Sequence, residues 1–154
     1  MSLSSATYYT VPSFSLKGES YECKVLDVYD GDTVTLCIVL RGFGITRFSC
    51  RLLGIDTSEM RGGTAETKKL AVEARDILIE MISNVKLDKN KEYKRDDIRK
   101  LLSNSSKTCR VVFDEIDKYG RPLVTLYDSG LDINKWMVDN NYAKVYDGGK
   151  KPVW

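Results

Sequence analysis

The sequence predicts an α+β domain centred on a small barrel of five strands with two to three helices, and three observations lead there. Short runs rich in Val, Ile, Leu and Thr come three in succession and then, after a helical stretch, two more. Turn residues separate neighbouring runs, which favours antiparallel pairing. At 154 residues, 42% apolar and 30% charged, the chain suits one domain around one core.

Residues 1–20 carry many Ser, Thr and Tyr without a sustained period and read as an N-terminal arm, so the folded domain is expected to span residues 21–154. Three strand runs follow at 21–28, 33–40 and 45–55. Their separators, Tyr29-Asp30-Gly31-Asp32 and Arg41-Gly42-Phe43-Gly44, make an antiparallel meander. Between 66 and 83, Leu70, Ala74, Ile77, Leu78, Met81 and Ile82 recur at three- and four-residue spacing, a stripe for a helix that packs across the meander. Residues 84–107 are dense in Lys, Asp, Asn and Ser, and only Ile98, Leu101 and Leu102 fall at helical spacing, so this reads as a solvated excursion with one short helix. Strands return at 108–113 and 122–127, joined by a hairpin through Asp117-Lys118-Tyr119-Gly120-Arg121. Asp132, or Ser129 before it, can cap a final helix that turns Ile133, Trp136 and Met137 inward, and Asn141 suits a left-handed residue at its end. Three strands, a helix, two strands and a helix together describe an open Greek-key barrel of the OB type, with a helix plugging one end.

Composition narrows the chemistry. The sequence contains no histidine, which removes the commonest general base and the commonest zinc ligand. Cys23, Cys37, Cys50 and Cys109 form no CxxC pair, so neither a zinc knuckle nor a dithiol redox motif is expected, and reduced core thiols are favoured over bridges. A net charge of +2 names no partner. No run approaches the roughly 20 apolar residues of a membrane span, and no basic start precedes an apolar stretch. A monomeric protein without a membrane role is expected; its compartment stays open, with the cytoplasm favoured over export by a leader since removed from in front of Met1.

Three polar segments carry the chemical signal. In Asp30-Gly31-Asp32-Thr33 the glycine is free to take a positive φ, and alone the segment reads as a hairpin turn. In Arg51-Leu52-Leu53-Gly54-Ile55-Asp56-Thr57-Ser58-Glu59 the acids cluster where a strand ends, and Arg51 comes near them only if the strand end curls. Acidic oxygens without histidine or cysteine suit a hard cation such as Ca²⁺ or Mg²⁺. The 117–121 hairpin adds Arg121, Lys118 and Tyr119. Two arginines and a carboxylate-held cation are what a phosphodiester needs, because charge grows on its phosphoryl oxygens in the transition state. Guanidinium forks match that geometry and stay charged.

Taken in order, Asp30-Gly31-Asp32-Thr33-Val34, Arg51-Leu52-Leu53, Ile55-Asp56-Thr57 with Glu59, Asp117-Lys118-Tyr119-Gly120-Arg121 and Asn141-Tyr142-Ala143-Lys144-Val145 resemble blocks of the staphylococcal nuclease (thermonuclease) family over residues 21–146. The resemblance implies one Ca²⁺ ion held by Asp32, Asp56 and the backbone carbonyl of Thr57. It implies Glu59 as the carboxylate that orients or deprotonates water, Arg51 between metal site and phosphate, and Arg121 on the phosphorus. Lys118 and Tyr119 match residues that hold a neighbouring phosphate, and Tyr146 lies one residue short of a base-stacking tyrosine. DNA or RNA would be the substrate, cleaved endonucleolytically to 3′-phosphate products. The competing expectation is a catalytically inactive module of the same fold that binds nucleic acid or a protein partner.

The chain also departs from the family pattern. Ser58 stands where proline is usual, which is expected to loosen Glu59. The 60–65 loop is short, residues 84–107 read as an insertion, and Gly148-Gly149-Lys150-Lys151 reads as a tail in place of a long terminal helix.

Overall fold

A computed structural model describes residues 1–154. In chain order the elements are β1 (Ser20–Asp30), β2 (Thr33–Leu40), β3 (Gly44–Leu52), β4 (Ile55–Asp56), α1 (Ala65–Met81), α2 (Arg95–Ser105), β5 (Thr108–Ile116), β6 (Pro122–Asp128), β7 (Leu131–Asp132), α3 (Ile133–Asp139) and β8 (Lys144–Val145). The meander is antiparallel as expected, with Lys24 opposite Cys37 on β1 and β2 and Thr33 opposite Arg51 on β2 and β3. β5 returns beside β1, and β6 beside β5. A short parallel seam, Arg51 with Leu123 and Leu52 with Val124, joins β3 to β6 and closes five strands into a barrel. The third expected strand is shorter than 45–55: it ends at Leu52, Gly54 takes φ +80°, and Ile55–Asp56 leaves to pair with β8.

Alternating inward residues fill the barrel, and Val25, Leu36, Leu52, Phe113 and Val124 are essentially inaccessible to solvent. Helix α1 seals one side. Ala74, Leu78 and Ile82 of the expected stripe are buried and Ile77 and Met81 half-buried, but Leu70 is 42% exposed, and Ala71, Arg75 and Ile79 are buried in addition. A Cβ at Gly31 would lie 2.7 Å from that of Ala74, so the helix comes too near the β1–β2 turn for a leucine at the contact. The helix starts where Thr64 accepts a hydrogen bond from the Thr67 amide at 3.2 Å.

The 84–107 excursion does hold one helix, α2, which buries Ile98 and Leu102 against the barrel. Arg95 and Arg99 both donate to the buried carboxylate of Asp27 on β1. Asp132 caps α3 by accepting from the Lys135 amide at 2.9 Å, and Asn141 is left-handed with φ +64°, both as expected. Buried Asn134 fastens α3 to the barrel, because its amide donates to the carbonyls of Leu53 and Val124 and its oxygen accepts from the Leu126 amide. The first 20 residues are less separate than an arm would be: Leu16 joins the core, and the Gly18 amide donates to the Phe113 carbonyl.

All four thiols are free. Burial pushes Cys23 and Cys50 up to about 12 and Cys109 to about 11, so none of these three is a thiolate nucleophile at neutral pH. No helix is long and apolar enough to cross a membrane.

Candidate active site

The site forms where the β1–β2 turn, the end of β3 and the β5–β6 hairpin meet. In the turn, Gly31 does not use a positive φ, contrary to the sequence expectation. Space is the reason for glycine here, since a Cβ would sit 2.7 Å from both Ala74 Cβ and Thr57 Cγ2. The turn is also tied internally: the Asp32 amide donates to Asp30 Oδ1 at 3.1 Å.

Arg51 reaches the acids because the chain breaks its strand at Leu53-Gly54 and doubles back. Its Nη1 lies 3.2 Å from Asp32 Oδ1, and its Nη2 lies 3.2 Å from Asp56 Oδ1 and 3.3 Å from the Ile55 carbonyl. One guanidinium thus spans two carboxylates that are 24 residues apart in sequence. Thr57 enters through its amide, which donates to Asp32 Oδ2 at 3.0 Å, and its buried hydroxyl has no partner. Burial opposes the charge on Arg51, yet Asp32, Asp56 and Asp30 together outweigh it and raise the guanidinium pKa. Asp30 bears the converse effect. Burial first, then the neighbouring Asp32, push its carboxyl up to about 8.

Glu59 is exposed and lies beside these acids on the segment leading to α1. Ser58 in front of it was expected to loosen it, yet Ser58 is buried and its hydroxyl donates to the Thr67 carbonyl at 2.6 Å, which anchors the segment. The residues after β8 fold back across the site and are not a free tail. Lys151 Nζ lies 2.7 Å from Glu59 Oε1 and 3.9 Å from Asp56 Oδ1. Its ammonium pKa is raised, chiefly by the hydrogen bond to Glu59. The Trp154 indole N–H donates to Asp56 Oδ2 at 2.8 Å, and Lys144 stands over the Trp154 ring.

A cavity of about 290 Å³ adjoins the carboxylates, and Arg51, Arg121, Lys118, Tyr119, Tyr146 and Lys151 all line it. Arg121 is aimed by Asp117, which accepts from its Nε at 2.9 Å. Burial works against the Asp117 charge, but the amides of Arg121 and Tyr119 and the Arg121 guanidinium outweigh it and lower its pKa. Tyr119, 72% exposed, lies against the cations of Lys118 and Arg121, and the Arg51 guanidinium lies 5.4 Å from the Tyr146 ring centre. Of the residues singled out in the sequence, Arg51, Lys118, Tyr119, Arg121 and Tyr146 line the cavity, whereas Asp32, Asp56 and Glu59 do not and are joined to it through Arg51 and Lys151, with Thr57 held on Asp32.

Asp30, Lys151 and Trp154 escaped the sequence reading. Asp30 was visible only as a turn residue, whereas nothing in Lys150-Lys151-Pro152-Val153-Trp154 signals a return to residues about a hundred positions earlier. The donor set of Asp30, Asp32, Asp56, Glu59 and the unpartnered Thr57 hydroxyl fits a hard cation in chemistry, and Asp30, whose pKa is raised first by burial and then by Asp32, lies within this acidic cluster. These oxygens do not converge as a ready metal cage, because Arg51, Lys151 and Trp154 engage them.

A search of the curated proteins found no match. The description of one family, "staphylococcal nuclease homologue", fits residues 49–152, a stretch that carries Arg51, Asp56, Glu59, Arg121, α1 and the returning tail. With two thirds of its length so matched around a closed five-stranded barrel, the chain belongs to the staphylococcal nuclease homologue family.

Proposed function

We propose that the protein is a Ca²⁺-dependent nuclease that hydrolyses phosphodiester bonds of DNA or RNA within the strand, leaves 3′-phosphate ends and works as a monomer. The observation that carries this reading is Arg51, which contacts both Asp32 and Asp56 while lining the same cavity as Arg121. Asp32, Asp56 and the Thr57 carbonyl would hold one Ca²⁺, which supplies positive charge to phosphoryl oxygens when bound. Arg51 and Arg121 bind the phosphate from two sides and stabilise the charge that develops on it. Glu59, free of Lys151, accepts a hydrogen bond or a proton from the attacking water. Lys118 and Tyr119 on the hairpin hold the next phosphate, and Tyr146 offers a ring for stacking.

A second reading, a module that binds nucleic acid or a protein partner without cutting, draws support from Lys151, which already neutralises Glu59 and part of Asp56. The two readings separate on single-stranded DNA and RNA incubated with Ca²⁺ or with chelator, using wild-type protein and the Glu59→Ser and Arg121→Gly variants. Cleavage that needs Ca²⁺ and falls in both variants is expected, with 3′-phosphate termini on end-labelling. Calcium-independent binding without any cleavage would establish the module instead.

A further inference from the structure

The 84–107 excursion has no part in the site described above, yet α2 places charge on the strands that end in it. Along β3 the side chains of Arg47, Ser49 and Arg51 alternate onto one face of the barrel, and Thr33 and Thr35 stand opposite Arg51 and Ser49 on β2. Asp27 on β1 is opposite Thr35. A second cavity, of about 510 Å³, opens on this face and is lined by Asp27, Thr35, Arg47, Ser49, Arg99 and Ser103, the last two from α2.

Its charge is unbalanced. Arg95 and Arg99 both turn to Asp27, with Arg99 Nε 3.0 Å from Oδ2, although one guanidinium would neutralise that carboxylate. Both arginines remain about half exposed, at 50% and 56% of their side chains, so their other N–H groups face solvent. Arg47 is exposed and enters no ion pair. Three guanidiniums thus answer one carboxylate. Holding α2 in place accounts for one pairing and leaves the remaining positive charge unexplained.

Resting on the reading that the active-site cavity receives a nucleic-acid strand, we infer that Arg47 and Arg99, with the Thr35 and Ser49 hydroxyls, form a second phosphate-binding site that carries the strand along β3 to Arg51. Four residues at about 3.3 Å each put Arg47 roughly 13 Å from Arg51, the length of about four nucleotides of a stacked strand at about 3.4 Å of rise. Helix α2 is the outer wall of this track, and Asp27 is the anchor that aims its arginines. The contacts are to the backbone and so bind without regard to sequence.

The track is tested by the salt dependence of single-stranded 12-mer binding in chelator, together with a length series from 4 to 12 nucleotides. Arg47→Ala is the leading variant, because its side chain has no partner whose loss could disturb folding, and Arg47→Ala/Arg99→Ala is the second. Arg110→Ala on β5, two strands away from β2, removes the same charge elsewhere. The slope of log K against log salt is expected to become shallower by about 0.7 in the single variant and about 1.4 in the double variant, and to stay unchanged in Arg110→Ala. Wild-type affinity should climb beyond 4 nucleotides while that of the double variant levels off. Equal slopes for wild type and Arg47→Ala, in a protein that cleaves with Ca²⁺, would overturn the track and leave the nuclease reading standing. A protein that never cleaves, yet loses slope with Arg47, would support the track as a binding face and overturn the nuclease.

Discussion

Replacing Lys151 with methionine should tighten Ca²⁺ binding, because the lysine ammonium competes with a cation for the same oxygens. In the folded chain Lys151 Nζ is 2.7 Å from Glu59 Oε1 and 3.9 Å from Asp56 Oδ1. The first contact is half exposed, and such pairs contribute about 0.2–1 kcal/mol. The second reaches a carboxylate only 2% exposed, which takes the whole toward the upper end, about 1 kcal/mol. A metal ion that takes these oxygens must first displace the ammonium, so Lys151→Met is expected to lower the Kd for Ca²⁺ by about fivefold at low ionic strength. Methionine keeps the apolar stem, and added salt should narrow the difference between the two proteins. Calorimetric titration with Ca²⁺ measures it directly. A second signal comes from Trp154 fluorescence in a Trp136→Phe background, since the indole hydrogen bond to Asp56 should yield as the ion binds. Equal or weaker Ca²⁺ affinity in Lys151→Met would refute the competition.

Three further outcomes follow from the site and its supports. Asp30 keeps its proton to about pH 8 when folded, against an ordinary value of 3.8, so the metal-free protein should lose stability as pH rises between those values. Asp30→Asn should abolish that decline, melting higher than wild type at pH 7 in chelator and alike at pH 4; parallel pH profiles would refute it. Gly31→Ala forces a methyl to within 2.7 Å of Ala74 and Thr57 and should cost about 1–3 kcal/mol in urea unfolding, partly recovered by Ala74→Gly. Asn134→Ala strands the Leu126 amide and the Leu53 carbonyl and should cost about 1–3 kcal/mol in the same assay, where a neutral result would show that α3 is held by its apolar face alone.

Strand limits were legible wherever a two-residue period met a clear turn signal. Thr33–Leu40 has the expected bounds, and the hairpin at 117–121 lies where its Asp and Gly suggested. Contacts that depend on distance in space were harder to read. The α1 stripe was legible in Ala74, Leu78 and Ile82, whereas the burial of Arg75 depends on a partner distant in sequence, the Tyr93 carbonyl that accepts from it. Arg51 lies on a strand whose alternation says nothing of the acids beyond it, and the Gly54 turn decides that it reaches them. Lys151 and Trp154 were out of reach because a Gly-Gly segment followed by Lys and Pro carries no period, and their place depends on carboxylates that other strands present. The candidate site was more readable than its surroundings, since Asp32, Asp56 and Arg121 each sit at a strand end where polar residues have no packing reason to cluster.

The seam between β3 and β6 consists of just two residue pairs, and Arg51 belongs to one of them while Arg121 lies two positions before its partner Leu123. The relative placement of the two arginines is therefore set at the barrel's shortest hydrogen-bonded join. Leu52 and Val124 of that join also belong to the core, so it cannot open without exposing the barrel interior, and the two guanidiniums should keep their spacing until the molecule melts. A substitution that loosens this join would therefore lower the melting temperature and release the two guanidiniums in the same step.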